Sequence, residues 1–184
     1  SPAIDRGFFF DTPGVDLEGD PRKDDPGTPN NGGDRYDPTI QATQLFDSDS
    51  GSNQFMRADN GSFFYRLPFD FTFFGKTYDR LEISSNGYIQ FDTFDTSLPD
   101  ADNDPQALID AEHPTMAVLW DDLTTGAIGN DIFIDESIAG QVTIRWQATY
   151  KPDDTPVNMA VVLFDNGEFR FDYGTGNSNL SPTV

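Results

Sequence analysis

The chain contains no cysteine, which removes disulfides, thiolate catalysis and the common structural zinc sites together. It has a single histidine, His113, next to Pro114. Any histidine-based triad would have to run through that one side chain. Glutamate is scarce as well: the 32 acidic residues divide into 27 Asp and 5 Glu, against only 11 basic residues. No long apolar run is present; the stretch Gly7-Phe8-Phe9-Phe10 is far too short to cross a bilayer. The fingerprints of nucleophile elbows, phosphate loops, dinucleotide-binding turns and zinc proteases are missing too. Together these gaps leave little for catalysis to work with, and the expectation is a non-enzymatic protein.

What the 184 residues do contain is aromatic and acidic. Phe occurs 17 times, and aromatics make up 14% of the chain, enough for a ring-rich core of ordinary domain size. The formal net charge is −21, which repels phosphate and excludes nucleic acid as a partner. Aspartate is a poor strand and helix former but a good turn residue and cation ligand, so its excess points to loops, and equally to bound Ca²⁺ or to a solvated acidic surface.

The texture changes along the chain. Residues 1–62 read as an acidic Asp/Gly/Pro-rich segment with one or two strands, drawn from Gly7–Phe10 and Thr39–Phe46. From Phe63 to Val184, short apolar segments alternate with turn signals. In Phe69-Asp70-Phe71-Thr72-Phe73 every second residue is aromatic, the period of a half-buried strand. Asn86-Gly87 and Asp165-Asn166-Gly167 are hairpin signals. Residues 92–113 form a second acidic insertion, with one helical turn expected from Pro105. The pattern predicts eight to ten strands, almost no helix, and an all-β antiparallel sandwich, jelly-roll-like, with long acidic loops.

Several residues are candidates for a site. Asp100, Asp102 and Asp104 place oxygens at alternate positions, the spacing that wraps a loop around Ca²⁺, although Pro105 replaces the glycine of an EF-hand. Asp47 and Asp49 repeat the idea on a shorter scale, and Asp20, Asp24 and Asp25 form a third cluster. Asp121 and Asp122 follow a buried-looking strand, where they cap its end or hold a cation. Asn60 and Asn179 head sequons compatible with glycosylation. Tyr78, Tyr88, Trp120, Trp146, Tyr150 and Tyr173 are candidate sugar-stacking rings; the alternative is core, more so for Trp120 than for Trp146.

The blocks Phe73-Phe-Gly-Lys-Thr-Tyr78, Ser85-Asn-Gly-Tyr88, Trp120-Asp-Asp-Leu123 and the closing hairpin through Asn166-Gly167 occur in an order that resembles nidogen-type (NIDO-like) domains and their bacterial secreted and cell-surface relatives. The resemblance runs over residues 67–174. It implies an extracellular or cell-surface adhesive module without known catalytic residues. It also implies one more apolar strand beyond Val184. A sandwich short of that strand exposes an edge that a second copy, or another domain of a longer chain, can fill. Phe8, Phe9 and Phe10 either pair within their own domain, the reading favoured from sequence, or serve as the matching donor segment, in which case head-to-tail exchange would build a fibre. Protein partners of this kind are the expectation, with a Ca²⁺-dependent glycan-binding module as the alternative.

Overall fold

A computed structural model describes residues 46–92, 113–175 and 177. Ten strands form, and no helix occurs among the described residues. They are β1 Ser52–Asn53, β2 Ser62–Phe73, β3 Lys76–Ser84, β4 Tyr88–Phe91, β5 Thr115–Ala117, β6 Leu123–Thr124, β7 Asp131–Asp135, β8 Gln141–Tyr150, β9 Thr155–Phe164 and β10 Phe169–Tyr173. The first sheet runs β1-β7-β8-β9-β10, with β6 beside β7 on the same flank of β8; the second is the meander β2-β3-β4-β5. Every pairing is antiparallel. The all-β sandwich predicted from period-two patterning is the observed architecture.

The expected strand Phe69–Phe73 is the second half of a longer one, β2, whose register slips between Arg66 and Phe71. Pro68 sits inside that slip, where an edge strand tolerates a residue that cannot donate to a ladder. The aromatic alternation after it does its expected work: Phe71 and Phe73 face inward and pack with Tyr78 and Phe91, with ring centroids 4.8–5.7 Å from Phe91. The apolar stretch Thr115–Trp120 is strand only as far as Ala117. The short strands β1 and β6 lie where composition gives no strand signal.

Asn86-Gly87 is a tight turn, as the sequence signals, but a buried one. Ser84, Ser85 and Asn86 are all inaccessible to solvent. Buried polar groups need partners, and here each finds one. Trp146 of β8, fully buried, donates its indole N–H to Ser84 O at 2.7 Å. Leu123 N–H donates to Asn86 Oδ1 (3.2 Å), and Asn86 Nδ2 donates to Asn60 Oδ1 (2.9 Å). Ser85 N–H and Gly61 O pair at 2.8 Å, while Gly61 N–H donates to Ser85 Oγ at 3.0 Å. Gly87 O accepts from both Val118 and Leu119.

The turn therefore joins both sheets. Gly87 adopts φ +79°, and a Cβ there would lie 2.2 Å from Leu119 O and 2.7 Å from Met159 Cε. Trp146 is thus core, whereas Trp120 is only half-buried and outside any strand. This reverses the order expected from sequence, because the apolar run before Trp120 breaks off at Ala117 while the alternation of β8 points Ile144, Trp146 and Ala148 inward together.

Gly87→Ala combines a left-handed backbone with a clash against main chain, so a loss of at least about 3 kcal/mol is expected. Trp146→Phe strands a buried carbonyl and removes core volume, and is expected to cost roughly 2–3 kcal/mol. Urea unfolding midpoints at unchanged slope measure both.

Candidate functional site: the charged loops around the sandwich

Asp121 and Asp122 sit between the half-buried Trp120 and the fully buried Leu123. Asp122 O accepts from Lys151 N–H (2.9 Å), and Asp122 N–H donates to Asp121 Oδ1 (2.9 Å). This anchors the pair to the turn after β8. Burial, aided by the Asp122 charge, raises the Asp121 carboxyl above its ordinary range, against the pull of the Asp122 N–H. The charges of Asp121, Asp153 and Asp122 together with burial raise the Tyr150 phenol. Lys151 forms an ion pair with Asp59. The strand expected to run to Trp120 stops at Ala117, so the pair caps no strand end there; it is tied instead to the turn after β8.

Asp47 and Asp49 lie elsewhere, on the loop before β1. Asp49 N–H donates to Asp47 Oδ1 (2.9 Å) and Ser50 Oγ to Asp47 O (3.2 Å), so the loop is tied to itself. Its third contact is Arg145 of β8, which is buried and donates Nε and Nη2 to Ser50 O at 3.2 and 3.1 Å. The guanidinium also lies 3.9 Å from the centroid of Phe133. Burial lowers the Arg145 pKa, and the charges of Asp47 and Asp49 oppose that shift. The two aspartates therefore face a built-in cation. Nothing in the sequence marks Arg145 for this role; it is one basic residue in a β-strand, legible only once the loop folds over it.

Among the described residues no three carboxylate or imidazole side chains converge as a metal cluster. Asp100, Asp102 and Asp104 lie outside the described residues, as do Phe8, Phe9, Phe10, Asn179, Asp20, Asp24 and Asp25. Asn60 is exposed, in a left-handed conformation (φ 56°), with its carbonyl oxygen taken by Asn86. His113 is half-buried, and its carbonyl accepts from Thr115 Oγ1. Of the six candidate sugar-stacking rings, Tyr78, Tyr88 and Trp146 are buried, Trp120 and Tyr150 are half-buried, and Tyr173 is exposed while donating to Val118 O at 2.7 Å.

The geometry also joins two of the sequence blocks. Ser85-Asn86-Gly87-Tyr88 meets Trp120-Asp121-Asp122-Leu123 through the Leu123–Asn86 hydrogen bond and through Tyr88 and Trp120, whose rings stack at 5.1 Å and 22°. The chain matches the NIDO-related family over residues 32–183 and belongs to it. That family is of an extracellular, non-catalytic module type. No curated protein and no solved structure matched the chain. No helix among the described residues is long and apolar enough to cross a membrane.

Arg145→Met leaves Ser50 O and the two aspartate charges without their buried donor, at an expected cost of roughly 2–3 kcal/mol; thermal unfolding with a double-mutant cycle through Asp49→Asn measures the coupling. Asp121 has the opposite sign. Its raised carboxyl pKa means the folded state holds the proton more tightly, so ionisation costs stability above the folded pKa and nothing below the unfolded value of about 3.9. Asp121→Asn should therefore raise the melting temperature at neutral pH, with the gain vanishing on acidification below that value.

Proposed function

We propose that this protein is a non-enzymatic extracellular structural or adhesive module, secreted or displayed at a bacterial surface, that works by joining protein partners, copies of itself first. The observation that carries the reading is a corner of the first sheet. Phe55, just after β1, is 83% exposed with φ +55°, a conformation in which a bulky side chain is strained. Ile128, in the turn before β7, is 99% exposed. Gln54 N–H bonds Ile132 O and Met56 N–H bonds Asp131 Oδ1, so Phe55 flanks the start of β7 as Ile128 does. Two large apolar side chains offered to water at one corner, one of them at a cost in backbone strain, suit protein docking better than chemistry.

Strand addition, with Phe8–Phe10 as donor, is the proposed mode by which copies join, and it rests on the sequence pattern. Ca²⁺-dependent glycan binding has less support, since half of the candidate rings are buried.

The test is sedimentation velocity over a concentration series on the wild type, Phe55→Ser, Ile128→Ser and a variant with Phe8, Phe9 and Phe10 all changed to Ser. Concentration-dependent association that weakens in the corner variants supports the reading, and weakening in the Phe8–Phe10 variant assigns the donor. A wild type that stays monomeric at the highest concentration and binds no protein from its native surface overturns it.

A further inference from the structure

The outer face of the second sheet carries a polar group with no partner. In β3, Leu81 and Ile83 face the core, so Glu82 and Ser84 point to the opposite face; in β4, Ile89 and Phe91 face the core, so Tyr88 and Gln90 join Glu82 there. Such positions on a two-sheet sandwich ordinarily meet solvent. Here Glu82 is 1% exposed, and Ser84, Tyr88 and Gln90 are buried as well. The half-buried Trp120 ring stacks on Tyr88.

Glu82 Oε1 accepts a hydrogen bond from Ser62 Oγ, but Glu82 Oε2 is buried without any hydrogen-bond partner. None of the described Lys or Arg side chains forms an ion pair with it. A buried carboxylate without a cation is expensive. The neighbours on its face of the sheet carry side-chain oxygens. Gln90 stands directly opposite Glu82 in the β3–β4 register and commits only its amide N–H, to Thr115 Oγ1 (3.0 Å). Ser84 carries a hydroxyl on the same face, which accepts from Asn86 N–H (3.1 Å). The Tyr88 hydroxyl is buried there without a hydrogen-bond partner of good geometry; burial raises its phenol pKa, the Ser84 hydroxyl lowers it and the Glu82 charge adds to the rise.

We infer that Glu82, with the oxygens of Tyr88, Ser84 and Gln90, forms a buried site for a hard, oxygen-seeking cation of the calcium class, beneath the Trp120 ring. One carboxylate with neutral oxygen donors is a donor set such ions accept, and the ion supplies the charge that Glu82 lacks. The site's residues are other than those of the Asp47–Asp49 loop and the Asp121–Asp122 pair, and it does not depend on the assembly reading.

The test uses the whole protein stripped with chelator, then titrated with Ca²⁺ and, in separate arms, with Na⁺ and K⁺. Tb³⁺, which occupies calcium sites and is sensitised by a neighbouring indole, reports the location. In the wild type, the preferred cation at about 100 times its Kd should raise the melting temperature by roughly 5–10 °C. Tb³⁺ should luminesce, and the Trp120→Leu variant should dim it. Glu82→Gln should abolish both responses, while the cation-free variant melts no lower than cation-free wild type because a buried charge is gone. Tyr88→Phe, which keeps the ring stack, should bind roughly tenfold more weakly, and it decides the matter should Glu82→Gln fail to fold. No cation response in the wild type, or the same response in Glu82→Gln, or in Tyr88→Phe if that variant must decide, overturns the site; an undiminished response assigns the ion to the acidic loops instead.

Discussion

The structure depends on a polar turn placed where a core would normally be apolar. Ser84, Ser85, Asn86 and Gly87 close the β3–β4 hairpin, and the turn sits between the sheets instead of in water. Burying so many backbone and side-chain polar groups is tolerable only if each is paired. The partners come from everywhere the chain must be held: Trp146 from β8, Leu123 from β6, Asn60 and Gly61 from the approach to β2, Val118 and Leu119 from the exit of β5. A two-sheet sandwich held by apolar contact alone can slide. One fixed by directional bonds to a single turn cannot do so without leaving several of those groups unsatisfied.

Charge is handled by the same rule of local pairing. The chain carries far more acid than base, and several of its described cations sit beside carboxylates, exposed and buried alike. Arg145 holds the loop of Asp47 and Asp49, Lys151 meets Asp59, Lys76 meets Asp92, and Arg170 chelates Asp172 through two bonds of 2.7 and 2.8 Å. Glu82 is a buried carboxylate that this arrangement omits, on the same face of the second sheet as Tyr88, whose ring stacks on Trp120. The exposed apolar corner at Phe55 and Ile128 is on the other sheet. Cation binding and protein docking would therefore be separate properties of one rigid scaffold.

Much of this was legible beforehand. Alternating aromatics in β2, the turn signals at Asn86-Gly87 and Asn166-Gly167, and the order of the blocks specify an antiparallel sandwich, because side-chain period and turn chemistry are local properties. The candidate sites were less legible. Asp47 and Asp49 read as cation ligands because aspartate spacing says nothing of Arg145, nearly a hundred residues on in the sequence. Glu82 alternates with Leu81 and Ile83, which sets its direction away from the core, but nothing local tells that this face is buried.

The sequence by itself determined the long strands, the antiparallel pairing of those joined by short turns, and the family, since each depends on neighbours within a few residues. Only the tertiary structure decided which tryptophan is core, that the Asn86-Gly87 turn is interior, and which carboxylates have a positive partner. Those outcomes turn on contacts between β3, β6 and β8, segments dozens of residues apart, and burial and charge pairing are set by what the rest of the chain brings to the other side.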